Sequence, residues 1–251
     1  MKAFLGELIG TMILVIIGCG TVAIAVLFGA LNLYGVALFF GAGVTVAIYA
    51  SRSMCPAHLN PAVSFAFMLR KALNFRRFFE FVGAQLIGAM LGAIVLLLIF
   101  NGFIEEYESA NEIVRGSEGS YHSAAMFGEY FPNPGFESEL QVSHYQAIFW
   151  EGIGTFFLML SILYVQRIQE IIKIPAPVII GLTVALLIIL IAPYTQGGFN
   201  PARDFGPRII AYFGGWEKAA FPEVSFGFLT VYILGPILGA SLATLITKLR
   251  R

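Results

Sequence analysis

The sequence predicts an all-α membrane protein of six transmembrane helices plus two re-entrant half-helices, built as an inverted repeat. Three observations predict it. Six apolar stretches are each long enough to cross a bilayer. Two further apolar stretches open on Asn-Pro-Ala and stop at about half that length. The motifs of the first half return in the same order in the second.

Composition sets the solvent. Of 251 residues, 58% are hydrophobic and 12% charged, with a mean hydropathy of +0.83. A soluble domain carries about 25% charged residues, so the missing charge points to lipid. The formal net charge is zero, which leaves no electrostatic case for nucleic acid or an acidic partner. Cys19 and Cys55 lack C-x-x-C spacing. They read as free thiols among small apolar side chains, not as a disulfide framework or a zinc site.

A helix needs about 20 apolar residues to cross roughly 30 Å of hydrocarbon. The stretches that qualify are 4–29, 31–50, 78–101, 145–165, 174–194 and 226–247. The apolar run of the first is too long for a signal peptide and more spans follow, so it is expected to stay in the mature protein. Two stretches are too short, 60–69 and 200–213. Each follows a helix-breaking segment, 51–59 or 193–199, containing Gly, Ser or Pro. Non-helical backbone survives at membrane depth only where protein buries it or water lines it. One interrupted segment per half is the pattern expected where a solute crosses.

Orientation follows from the basic residues. With the N-terminus inside, the cytoplasmic set is Lys2, Arg52, Arg70, Lys71, Arg76, Arg77, Arg167, Lys173, Lys248, Arg250 and Arg251, eleven of the fifteen. The loop 102–144 then lies outside, with eight glutamates against Arg115 alone. This meets the positive-inside rule and puts both termini in the cytoplasm, with the plasma membrane the expected location.

The two halves, about 1–101 and 145–251, form one channel-like domain across that loop. Glu7-x-x-Gly10-Thr11 returns as Glu151-x-x-Gly154-Thr155, and Gly41-x-x-Val44 as Gly181-x-x-Val184. Asn60-Pro61-Ala62 returns as Asn200-Pro201-Ala202, and Leu86-Ile87-Gly88-Ala89 as Ile237-Leu238-Gly239-Ala240. Three spans per half mean that the second copy enters from the opposite face, so the short helices approach each other from opposite sides.

A single Asn-Pro is an ordinary helix start: Asn caps and Pro suits the first helical position. Two copies at matched places say more. Each half-helix N-terminus carries about half a positive charge and unpaired N–H groups. Where two such ends meet, cations and hydronium are repelled, while the amides of Asn60 and Asn200 can donate to a passing oxygen.

At these residues the chain resembles a known family. Ala57-His58-Leu59-Asn60-Pro61-Ala62-Val63 and Phe199-Asn200-Pro201-Ala202-Arg203-Asp204-Phe205-Gly206-Pro207-Arg208 look like the two signature loops of the aquaporin, or major intrinsic protein, family. The likeness covers the whole chain. It implies an aquaporin-like bundle, one pore per subunit, and a homotetramer. Asp204, Arg208 and Phe100 follow the glycerol-facilitator branch; Tyr232 departs from it, and Ile233 is closer to it. The resemblance therefore implies passive passage of glycerol, related small neutral solutes and water, with protons and ions excluded. By position it implies a selectivity filter of Phe40, Ile188, Gly197 and Arg203, and pore-lining loops that include Pro56, Ala57, His58, Gly198 and Phe199. Gly197 stands where such channels carry a second aromatic, Ile188 where they carry a small residue, and Pro56 where they carry glycine.

Glu7 and Glu151 lie inside spans, where a carboxylate is expensive and functional by default. The resemblance implies that each accepts N–H groups from the re-entrant loop of its own half, with Asp204 a third structural support. The alternative makes them proton-coupling groups of a secondary transporter; a water-selective pore is a second alternative. His58 has no ligand partner at metal spacing and reads as pore lining or packing. His122, His144 and the loop glutamates read as solvated. An enzyme would need a nucleophile–base or metal set, and the sequence offers neither that nor a cofactor site.

Overall fold

The computed structural model describes residues 1–221 and 226–249; Arg250 and Arg251 of the basic set lie outside the described residues. Among the described residues, six helices are long and apolar enough to cross a membrane. They are α1 (Lys2–Phe28), α2 (Leu33–Ser51), α4 (Phe75–Ala110), α6 (His144–Ile172), α7 (Ala176–Thr195) and the last span, Gly227–Leu249. Between them lie two short helices, α3 (Pro61–Leu69) and α8 (Pro201–Ala211), and a four-residue turn of helix in the outer loop, α5 (Tyr121–Ala124). The last span comprises α9 (Gly227–Leu229), a π-helical turn and α10 (Gly235–Leu249).

Local chemistry accounts for the ends. Asn32 and Asn74 cap α2 and α4 by accepting from Gly35 N–H and Arg77 N–H, at 3.0 and 2.9 Å. Ser143 and Gln146 form a reciprocal capping box at the start of α6. α1 stops where Gly29 takes φ +59°, a left-handed value that glycine adopts without a Cβ clash. Helix α4 outruns the expected span. Residues 102–110 continue it, so the loop expected at 102–144 begins after Ala110. Glu105, Glu106 and Glu108 ride on helix beyond the apolar run, because backbone hydrogen bonds close as well in water as in lipid. α8 ends at Ala211 and continues as a π-helical turn over Tyr212–Trp216.

The halves pack alike. α1 lies against α4 and α6 against α10, while α2 meets α7 across the middle. Each tight crossing is made by a glycine. A Cβ on Gly88 would strike the Leu8 carbonyl, and one on Gly239 the Gly152 carbonyl. In lipid there is no hydrophobic force between helices, and close backbone approach over small residues is what associates them.

Gly88→Ala should therefore destabilise the folded protein by about 1–3 kcal/mol, the usual cost of overpacking. Gly102→Ala, where a Cβ meets open space on the same helix, should stabilise by up to about 1 kcal/mol through helix propensity. Thermal unfolding in detergent checks this, and equal shifts for both variants would contradict the packing account.

Candidate functional site

The short helices begin as their residues dictate. Asn60 precedes α3 in extended conformation, its Oδ1 accepting from Ala62 N–H at 2.8 Å, with Pro61 at the first helical position. Asn200 does the same for α8, accepting from Ala202 N–H at 3.1 Å and Arg203 N–H at 3.3 Å, with Pro201 following. At about 1.5 Å per residue, nine and eleven residues span only half of the hydrocarbon.

The two N-termini meet, and the amides cross. Asn60 Nδ2 donates to the Phe199 carbonyl at 2.8 Å, and Asn200 Nδ2 donates to the Leu59 carbonyl at 2.7 Å. The sequence offers these amides to a solute oxygen; each gives one N–H to the opposite loop and keeps its second N–H as a donor. Leu59 and Phe199 both hold φ +52°, and Ala57 holds +54°. Such left-handed values cost a non-glycine residue on the order of 1–3 kcal/mol and persist only when the surroundings enforce them.

The enforcing groups are the buried glutamates. Glu7 accepts from His58 N–H at 2.9 Å, Leu59 N–H at 2.7 Å and Gln85 Nε2 at 2.8 Å. Glu151 accepts from Gly198 N–H at 2.9 Å, Phe199 N–H at 2.7 Å and Thr195 Oγ1 at 2.7 Å. One carboxylate per half holds one loop. Gln85, which also donates to Ser64 Oγ at 3.0 Å, was missed in the sequence, although an amide inside an apolar span is itself a signal.

One cavity holds this junction in its wall, and a second lies beyond Phe40 and Arg203. The larger, about 550 Å³, is lined by Pro56, Ala57, His58, Asn60, Gly197, Gly198, Phe199 and Asn200 among others. The smaller, about 310 Å³, is lined by Ile188, Gln196 and outer-loop residues that include Glu129. Among the described residues, only Phe40 and Arg203 line both. The Arg203 guanidinium carbon stands 5.3 Å from the centre of the Phe40 ring. Of the four expected filter residues, the structure thus sets Phe40 and Arg203 at the divide, Gly197 on one side and Ile188 on the other. The Phe199 ring lies 3.2 Å from where a Gly197 Cβ would sit and packs against Gly154.

Residues 1–247 match the family profile described as major intrinsic protein. The chain belongs to that family. It is 36% identical over 246 residues to the glycerol uptake facilitator protein of Pseudomonas aeruginosa, which covers 95% of this chain and 84% of that protein. It is 33% identical over 240 residues to the propanediol uptake facilitator of Citrobacter freundii, covering 94% and 87%. The fold is similar to the X-ray structure of the aquaglyceroporin from Plasmodium falciparum, with a TM-score of 0.78 and 25% identity over 98% and 94% of the two chains.

This major intrinsic protein family member departs from its sequence reading in the outer loop. Glu108 and Glu129 are buried, not solvated. Glu108 pairs with Arg115 at 2.8 Å and accepts from Ser123 at 2.7 Å. Glu129 pairs with Arg203. Asp204 clamps the segment: it accepts from Glu129 N–H at 2.8 Å and from Arg208 Nε at 2.8 Å, while Arg208 also donates to the Glu129 and Ala220 carbonyls. The histidines are partly exposed and also make contacts. His122 stacks on Tyr121 at 4.2 Å and lies 3.4 Å from Glu137, and His144 packs by Phe131 at 5.6 Å.

If Glu7 and Glu151 are acceptors, Glu→Gln at either strips one loop N–H of its partner, at about 1–3 kcal/mol. Folded yield and melting temperature should fall for both variants, with solute preference changed less. Normal folding with loss of a proton-driven flux alone would show that they carry protons.

Proposed function

We propose that this family member is a passive channel for glycerol and related small neutral solutes, with water, and that it excludes protons and ions. The observation that carries the reading is the divide between the cavities, where one wall is an arginine and the other a phenyl ring. A polyol has an oxygen-rich edge and a carbon edge. The guanidinium offers donors to the first and Phe40 an apolar wall to the second. The names of the similar proteins, glycerol and propanediol uptake facilitators, support the same substrate class.

In this reading Asn60-Pro61-Ala62 and Asn200-Pro201-Ala202 mark the middle of the path, and Phe40, Ile188, Gly197 and Arg203 form its filter. The protein is multi-pass in the membrane; its place in the plasma membrane with both termini cytoplasmic, its homotetrameric assembly and its halves at 1–101 and 145–251 belong to the proposal. The partial positive charge of both half-helix ends repels cations. Proton coupling is disfavoured because both span glutamates already accept three hydrogen bonds each.

Reconstituted vesicles in a stopped-flow shrink–swell assay should pass glycerol well above bare lipid and show no proton leak with a pH-sensitive dye. Arg203→Ala should weaken discrimination among solutes. Fast water flux with glycerol permeability equal to bare lipid would contradict the substrate assignment.

The size of Ile188 tests the geometry separately. Ile188 is buried on the outer cavity, so Ile188→Gly should raise glycerol flux more than water flux. Unchanged flux ratios would place the constriction elsewhere.

A further inference from the structure

We propose that Glu129 is a specificity-determining residue of this channel: by pairing with Arg203 it holds the guanidinium to the wall and leaves the narrow ring without net charge. The inference rests on the channel reading and adds to it a residue from the outer loop.

The pair sits at the divide itself. Arg203 and Glu129 are each 1% exposed and form an ion pair through Arg203 NH2 and Glu129 Oε1. Both line the outer cavity. Arg203 NH1 donates to the Phe127 carbonyl at 3.4 Å, while Arg203 Nε and Glu129 Oε2 have no hydrogen-bond partner among the described residues. The backbone of Glu129 is fixed independently, through its N–H to Asp204 and its carbonyl to Arg208, so its side chain is aimed at Arg203 and not drawn there by chance. Tyr130 N–H on Gln196 Oε1, at 2.7 Å, anchors the next residue.

The consequence is electrostatic. An unpaired guanidinium in a dry ring carries a full positive charge and a long, mobile side chain. It would retain solute oxygens and swing into the path. Pairing turns the ring into a fixed dipole, which suits a neutral hydroxylated solute that must enter and leave quickly. Conversely, a carboxylate left without its arginine would draw cations to the same place.

Titration follows from this placement. Burial pushes the Glu129 carboxyl up to about 7 from its ordinary 4.5, against the pull of Arg203 and with Asp204 adding to the rise. The groups that face it are Arg203, Asp204 and Arg208 from α8, Glu151 from α6, Tyr130 from its own loop, Tyr232 from the last span and Cys19 from α1. Because the shift is upward, the carboxylate is present above about pH 7 and is lost as the outer pH falls through that value, releasing Arg203.

The test uses full-length protein in vesicles. Wild-type glycerol permeability should fall at least about threefold as outer pH goes from 8 to 5, with a midpoint near 7. Glu129→Gln should be flat and match the low-pH wild type. A flat wild-type profile, which no folding defect can produce, would overturn the proposal. So would a wild-type profile retained in Glu129→Gln, which would assign the titration to His122 on the same cavity. A second arm needs no glycerol. Proton leak in Arg203→Ala should exceed that in Arg203→Ala/Glu129→Gln by on the order of tenfold, since only the first leaves a bare carboxylate; equal leaks would contradict the charge role. A wild type that passes no glycerol at any pH would defeat the channel reading, and the leak comparison would still decide the role of Glu129.

Discussion

A peptide group that leaves helical geometry inside a membrane must find its partner in protein, because hydrocarbon supplies none. The rest of this structure depends on that constraint. The chain breaks its helices twice at membrane depth, before α3 and before α8. Each break exposes two consecutive N–H groups, and one glutamate per half meets them. A buried carboxylate is costly alone but becomes useful when its oxygens are filled by backbone donors. Those bonds hold Leu59 and Phe199 in left-handed conformations, and the turn so enforced aims their carbonyls at the opposing asparagines. The loops are thus tied within each half by glutamate and between halves by amide.

The same logic reaches the outer ring. α8 presents Arg203, Asp204 and Arg208 within one and a half turns, all buried. Three ionic side chains on so short a helix demand partners from elsewhere: the outer loop supplies the Glu129 carboxylate and the Phe127 and Glu129 carbonyls, and the segment after α8 the Ala220 carbonyl. Replacing a buried ion pair by apolar residues is often neutral or stabilising, so such pairs are weak arguments for stability. Here the pairs fix where one guanidinium sits against one phenyl ring. Position, not stability, is what they contribute.

Much of this was legible in the residues. Asn-Pro-Ala states its own cap and first turn, and two copies in an inverted repeat locate both half-helices. The paired Glu-x-x-Gly-Thr motifs pointed to loop support through the family resemblance and because the repeat supplies one glutamate for each loop. Other features were hidden for physical reasons. Glu129 reads as one more acidic loop residue, since its partner lies 74 positions on and no local pattern announces a long-range ion pair. Glu105 to Glu108 read as loop because charge marks the end of lipid, whereas helix α4 ends only at Asn111, whose amide donates to the Tyr107 carbonyl and closes the last turn. The asparagine amides read as solute ligands because nothing in a tripeptide reveals that the opposite loop's carbonyl lies within 3 Å.

The central claim is that carboxylates inside the spans hold backbone and carry no proton, so that transport is passive. The endpoint of labelled glycerol uptake into vesicles under an imposed inward proton gradient tests it most directly. Passive conduction predicts equal glycerol concentrations inside and outside at equilibrium, with or without the gradient. Accumulation above the outer concentration, abolished when the gradient is collapsed, would contradict it.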